Sequence, residues 1–254
     1  MGTETPVVVV KDLRKAYGAC VAVDGISFSI GSGEIFGIVG PNGAGKTTTV
    51  ECLAGLRRQD SGSISVLGLD PRVRPRELRT RIGIQLQEAA LPDDIKVWEA
   101  LRLFASLYPV RGDWKMLLET WGLGEKRNAR FASLSGGQKQ RLFIALALVN
   151  DPEVLFLDEL TSGLDPQARR STWGLIDTLR DRGRTVVLVT HAMDEAEALC
   201  DRVAIVDRGR LVALDTPPRL IGMIRAKKRA NSGRRGPASL EDAFLSLTDR
   251  AASE

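Results

Sequence analysis

The sequence has a single histidine, His191, and three cysteines, Cys20, Cys52 and Cys200. The cysteines lie far apart and form no C-x-x-C pair. That pattern excludes a disulfide framework and leaves too few ligands for a zinc site of Cys and His. Scattered thiols in odd number suit a reducing compartment. Long apolar runs are also missing: the longest, Leu142 to Val149, falls far short of the ~20 residues that span a bilayer. The start, Met1 to Pro6, carries no basic flank, and proline stands where a myristoylation motif needs Ser or Thr, so neither a leader nor a lipid anchor is expected. Charge of one sign is scarce too. The 36 basic residues nearly balance the 32 acidic ones, leaving a net charge of +4, and no nucleic-acid partner is expected.

What is present is the composition of a globular chain. Its 254 residues are 43% hydrophobic and 27% charged, enough to bury roughly 70–75% of the unfolded surface in one large α/β domain or two small ones. Short β-rich runs at 7–10, 26–30, 35–39, 82–86, 154–157, 185–190 and 203–206 alternate with helical patterns. Several, such as T-V-V-L-V-T at 185–190, are continuously apolar, which marks strands buried on both faces of a mostly parallel sheet covered by helices. Helices are predicted to start after Gly45, Gly137, Pro166 and Ala192. Between Gln87 and Ser135 the apolar residues take helical spacing, and an inserted helical subdomain is predicted over about 88–134. The organisation expected is one domain over 1–225, then a basic linker and a short amphipathic helix over 226–254, with the basic run Arg225–Arg235 a solvated loop. Trp98, Tyr108, Trp114 and Trp121 in the insert read as packing core, and Cys52 as buried.

Three constellations carry chemistry. Gly40-Pro41-Asn42-Gly43-Ala44-Gly45-Lys46-Thr47-Thr48 follows a predicted strand and opens a predicted helix, the context a phosphate-binding loop requires. Glycines let the backbone wrap N–H groups around an anion, and the helix start adds partial positive charge. Lys46 adds a full charge, on the order of 4 kcal/mol per phosphate charge at ~4 Å in a surface-like dielectric. Thr47 offers a hydroxyl to Mg²⁺. Second, the apolar strand Val154–Leu157 ends in Asp158 and Glu159, which fit a Mg²⁺ ligand and the base that polarises a water attacking a γ-phosphate. Read alone, the pair fits an exposed acidic turn as well. Third, Leu134-Ser135-Gly136-Gly137-Gln138 opens another glycine-led helix, read equally as a plain N-cap or as a second anion site. If both anion-seeking starts serve one triphosphate and cannot meet within a subunit, a two-fold dimer supplies each site from both chains. No N-K-x-D or D-x-x-G occurs, which disfavours a GTPase.

The order of phosphate loop, Gln87, L-S-G-G-Q, L-D-E, S-G-L-D (162–165) and His191 resembles the ATP-binding subunit of an ATP-binding cassette (ABC) transporter over nearly the whole chain. The resemblance implies a P-loop NTPase α/β core with a mostly parallel sheet, an N-terminal antiparallel β subdomain and an inserted α-helical subdomain. It implies ATP and Mg²⁺ as cofactors and ATP hydrolysis as the activity. By the same resemblance Tyr17 stacks on adenine, and Gln87, rather than the in-strand Gln85, senses Mg²⁺ and links to the membrane subunit. Ser135, Gly136, Gly137 and Gln138 cap the γ-phosphate of an opposite subunit, Asp165 lines the dimer seam, and His191 is the γ-phosphate switch. Leu160 departs from the family's usual proline, which puts loop stiffness alone in doubt. The stretches at 86–101 and 239–248 are similar to ABC-2-type exporters, including bacterial drug-resistance pumps. These likenesses imply export through a separate membrane permease, from the cytoplasmic face of the bacterial membrane, by a homodimer. The alternative is a soluble cassette ATPase in cofactor assembly or in nucleic-acid or ribosome work. Against the latter, the insert shows no heptad array and the chain holds one cassette.

Overall fold

The computed structural model describes residues 5–109, 113–232 and 239–251, with side chains omitted for 225–232 and 249–251. Nine strands and nine α-helices are found among these residues. The first sheet joins β1 (Val8–Tyr17), β2 (Cys20–Ile30) and β4 (Ser61–Val66) in the order β2-β1-β4, all antiparallel. A second sheet joins β3 (Ile35–Val39), β5 (Ile82–Gln85), β6 (Val154–Asp158), β7 (Thr185–Thr190), β8 (Arg202–Asp207) and β9 (Arg210–Asp215). Its order is β5-β6-β7-β3-β8-β9, parallel except for the last pair.

The continuous apolar strands behave as their pattern requires. Every residue of β3, β6 and β7 is buried. Successive side chains divide between two cores, as the two-residue period of a strand dictates. Leu155, Leu157, Val186 and Leu188 face one core, shared with the helical insert and the helices after it. Val154, Phe156, Val187 and Val189 face the other, shared with the antiparallel sheet and α1 (Lys46–Leu53). The central sheet is therefore the middle layer, and its strand ends carry the loops where chemistry is placed.

The insert contains α3 (Val97–Ser106) and α4 (Trp114–Thr120) and leads into α5 (Gly136–Ala147). Its buried residues, among them Val97, Leu101, Leu118 and Phe131, belong to the same cluster as Leu155 and Leu188 of the sheet. The insert therefore shares the buried cluster of the sheet rather than forming one of its own. Trp121 is fully buried there, while Trp98, Tyr108 and Trp114 pack against it half-buried. Cys52 is buried, which pushes its thiol up to about 11.

Several elements were not read in the sequence or were read shorter: β1 and β2 extend well past the runs expected at 7–10 and 26–30. β4 and β9 carry little continuous apolar character, and α2 (Pro75–Arg81) is seven residues with only Leu78 buried. The helix α8 (Pro217–Ser232) continues through Ala226, where a linker was expected, and runs to Ser232. The rest of the expected loop, 233–238, and the side chains of Arg225–Arg235 lie outside the described residues. Beyond it α9 (Leu240–Ala251) buries Leu240 and Ala243 in the cluster of the large core. The Leu240 amide donates to Glu197 of α7 (Met193–Leu199) at 2.9 Å.

Candidate functional site

The phosphate-binding loop runs from the C-terminal end of β3 to the start of α1. Gly45 is the N-cap of that helix with φ +96°, and a Cβ there would lie 2.1 Å from the Ala22 carbonyl oxygen. A Cβ on Gly40 would lie equally close to the Val206 carbonyl oxygen. Only glycine permits this backbone against its neighbours. Lys46 is buried, and its Nζ donates to the carbonyls of Gly40 and Pro41, each at 2.9 Å. Burial lowers its pKa, opposed by the charges of Glu159 and Asp158.

A cleft of about 480 Å³ opens over this loop, lined by Tyr17, Ala22, Asn42, Gly43, Gly45, Lys46, Thr47, Thr48, Gln87 and Glu159. The structure thus brings together eight of the eleven residues expected to bind nucleotide within one subunit, Tyr17, Gly40 to Thr48 and Gln87 being the expected set. Gly40, Pro41 and Ala44 do not line it; the first two hold Lys46 with their carbonyls, and the Ala44 methyl is buried in the core beneath. Ala22 was not anticipated, because its contribution is a backbone position on β2 that no side-chain pattern marks. Tyr17 is exposed at the rim with the cations of Lys15 and Arg57 near its ring, 5.5 and 5.4 Å from the centroid.

At the end of β6, Asp158 is fully buried and neither carboxylate oxygen makes a hydrogen bond of regular geometry, although the Thr47 hydroxyl lies beside the group. Burial raises its pKa, with the Thr47 hydroxyl and the Lys46 ammonium pulling the other way. An unsatisfied buried carboxylate is costly. Its position beside a hydroxyl, at the floor of an anion cleft, suits a hard divalent cation that takes oxygen ligands. The next residue, Glu159, takes the left-handed conformation at φ +50°, a strain that concentrates at functional positions. Its side chain is nearly buried and clamped from two directions. Gln87 Nε2 donates to Oε2 at 2.9 Å, and His191 Nδ1 lies 3.1 Å from Oε1. His191 follows β7, which pairs with β6, so the sheet register carries the two side chains to one place. Gln85, by contrast, is buried within β5 and turned to the Leu86 carbonyl.

Ser135, Gly136, Gly137, Gln138 and Asp165 are not brought to this cleft. They line a second one of about 260 Å³ with Arg141, Gly163, Leu164 and Ala168. Ser135 caps α5: its Oγ accepts from the Gln138 amide at 3.3 Å, and Gln138 Oε1 accepts from the Ser135 amide at 3.0 Å. Asp165 caps α6 (Pro166–Asp181), accepting from the amides of Gln167 and Ala168 at 2.9 Å. Both clefts are therefore lined by a glycine-rich loop and a helix start.

A third feature is an apolar groove of about 390 Å³ between β5 and the insert, lined in part by Ile84, Ala90, Leu91, Phe104, Tyr108 and Phe143. Leu103 of α3 and Leu107, which caps the end of that helix, stand exposed. No described helix is long and apolar enough to cross a membrane.

The family described as ABC transporter matches residues 23–162. The Nod factor export ATP-binding protein I of Burkholderia orbicola (strain AU 1054) is 45% identical over 216 residues, which cover 83% of this chain and 71% of that protein. The protein of the same name from Rhizobium sp. (strain N33) is 42% identical over 214 residues, covering 82% and 70%. A solved ATP-binding subunit of an ABC transporter superposes with TM-score 0.81 at 29% identity, covering 95% of this chain and 99% of that one. An ABC transporter cassette in its ADP conformation, 21% identical, shares the fold with TM-score 0.78 over 98% and 100%. A glycine loop closed around Lys46, acidic residues at the end of β6 and these likenesses lead to one conclusion: the chain belongs to the ABC transporter family as an ATP-binding subunit, which hydrolyses ATP to power transport.

Proposed function

We propose that two copies of this chain bind ATP at their interface and drive export through a separate ABC-2-type permease, at the cytoplasmic face of the bacterial membrane. The observation that carries this reading is the pair of clefts. One holds Lys46 with Gln87 and with Glu159, whose carboxylate His191 approaches, and the other presents the amides of a helix start at Gly136 and Gly137. A triphosphate held in the first leaves its γ-phosphate facing outward, and a second copy turned by a two-fold axis supplies the second cleft to it. Tyr17 offers its ring to the base. Thr47 and Asp158 would hold Mg²⁺, with Gln87 beside it, and the metal neutralises phosphate charge when bound.

In this site Glu159 is the base. Its carboxylate accepts a proton from the attacking water, while Gln87 and His191 fix its two oxygens in direction. His191, exposed at the cleft, contacts the γ-phosphate, and Asp165 lines the seam between copies. The apolar groove and the exposed leucines of α3 receive a cytoplasmic helix of the permease. Gln87 leaves β5 at the edge of that groove, so closure over nucleotide displaces the docking surface. The relatives named for Nod factor export support the direction of transport. The substrate path belongs to the permease.

Glu159→Gln tests the composite site. The amide keeps the shape and loses the base, so the variant binds ATP, hydrolyses it at least about 100-fold more slowly, and accumulates as a nucleotide-bound dimer by light scattering. Wild-type turnover, or a monomer at saturating ATP, overturns the reading.

A further inference from the structure

Glu195 is a buried carboxylate to which the nucleotide cleft gives no role. It lies in the first turn of α7, four residues after His191, and is 1% exposed. Keeping a carboxylate out of water there is costly unless good partners hold it. Its Oε1 accepts from the Thr161 hydroxyl at 2.8 Å and from the Trp173 indole at 3.0 Å, while Oε2 is buried without a partner. Thr161 stands two residues beyond Glu159 and is itself buried, and its carbonyl accepts from the Leu164 amide at 3.2 Å. Trp173 lies on α6, the helix that Asp165 caps. Around the rim Arg169 of α6 pairs with Asp194 of α7, its guanidinium 5.1 Å from the Trp173 ring.

One carboxylate oxygen therefore fastens three segments: the loop that leaves Glu159, the helix that follows that loop, and the helix that follows His191. We propose that Glu195 is a positioning residue for hydrolysis. It locks the 160–165 loop to α7, so that Glu159 and His191 keep their 3.1 Å approach when a second copy presses on the loop at Asp165. With Leu160 in place, the loop gains no stiffness from a proline ring, and the side-chain anchor at Thr161 supplies the constraint. Small displacements at a reacting pair are expensive: about 1 Å can cost about 100-fold in rate.

The proposal rests on Glu159 and His191 being the hydrolytic pair, and the experiment separates the two. Steady-state ATP hydrolysis and nucleotide affinity are measured on the full chain for Glu195→Ala, Glu195→Gln, Thr161→Val and Glu195→Ala/Thr161→Val, with Glu159→Gln as control. Expected are a fall in kcat of about tenfold or more in Glu195→Ala and in Thr161→Val, with nucleotide Kd within about twofold of wild type. The double variant falls no further than Glu195→Ala, since the bond that Thr161→Val deletes is already lost with the carboxylate. Glu195→Gln, which keeps the carbonyl acceptor, recovers most of the turnover. If Glu195→Ala loses its circular dichroism signal, Thr161→Val, which preserves the side-chain shape, carries the test. Wild-type kcat in the folded variants overturns the proposal. So do additive losses, or losses shared equally by kcat and affinity, because a packing role alone predicts those. Full turnover in Glu159→Gln would instead overturn the underlying reading of the pair.

Discussion

Asp158 sits where its own charge is least welcome. Burial raises its pKa, and the nearby Thr47 hydroxyl, which makes no regular hydrogen bond to either oxygen, offsets this only in part. A folded-state pKa above the unfolded one means that the ionised form destabilises the nucleotide-free protein at neutral pH, and that protonation on lowering the pH relieves the penalty. Asp158→Asn removes the charge at nearly constant shape. In a thermal melt at pH 7 without nucleotide or metal, its Tm should rise by roughly 2–4 °C, the equivalent of about 1 kcal/mol in a chain of this size. ATP hydrolysis in the same variant should be lost. A lowered Tm would show that the carboxylate is satisfied in the free protein. Stability given up at the position proposed to hold the cation would be the ordinary trade between a functional site and its scaffold. The sequence announced the residue, an acid at the end of a buried strand, but not its isolation. That isolation follows from which side chains fail to reach it.

The elements differ in how plainly the sequence declares them, and the reason is burial. β3, β6 and β7 are buried throughout, so an unbroken apolar run is the signature they must have. β4 and β9 lie at sheet edges, half-covered, and their sequences S-G-S-I-S-V and R-L-V-A-L-D carry only a diluted alternation. α8 was not read, because its opening turns hold only the short apolar group Leu220, Ile221 and Ile224 and the basic stretch after them leaves no apolar period. The clamp on Glu159 was beyond reach for a different reason. Gln87 and His191 come from β5 and β7, the two strands flanking β6, and strand order is set by tertiary pairing. The insert was legible as helical, yet its dependence on the main core was not. Trp121 makes that dependence testable, since it is fully buried among residues shared with the sheet. Trp121→Ala should destabilise the whole chain by about 3–5 kcal/mol, seen as one shifted denaturant transition. A separate early transition of the insert, with the main one unmoved, would show that the insert folds by itself.

At the scale of the whole molecule the question is how events in a cleft beside β6 reach a membrane partner. The large core offers a continuous path. α3 packs in one cluster with α5, α6 and the strands that carry Glu159 and His191, and β5 delivers Gln87 to Glu159 while lining the apolar groove from below. Close-packed interiors transmit displacement rather than absorb it, so a partner seated in the groove is coupled to closure if it binds the open and closed forms unequally. Phe104 is half-buried, part groove wall and part core, and a charge there would damage folding as well as docking. Leu103 is 51% exposed on the same helix, and Ala90 is exposed at the groove, so both can be altered with the fold intact. Leu103→Glu and Ala90→Glu should each leave ATP affinity and the basal hydrolysis of the purified chain within about twofold of wild type, while burying a charge at the contact weakens permease binding by roughly 2–4 kcal/mol. The measurement is the fraction of the chain that sediments with membranes containing the permease, compared with membranes lacking it. Full retention of both variants on permease membranes would place the docking surface on another face of the molecule. Release of Ala90→Glu with retention of Leu103→Glu would confine it to the groove, whose wall includes Leu86 and Glu88, the chain neighbours of Gln87.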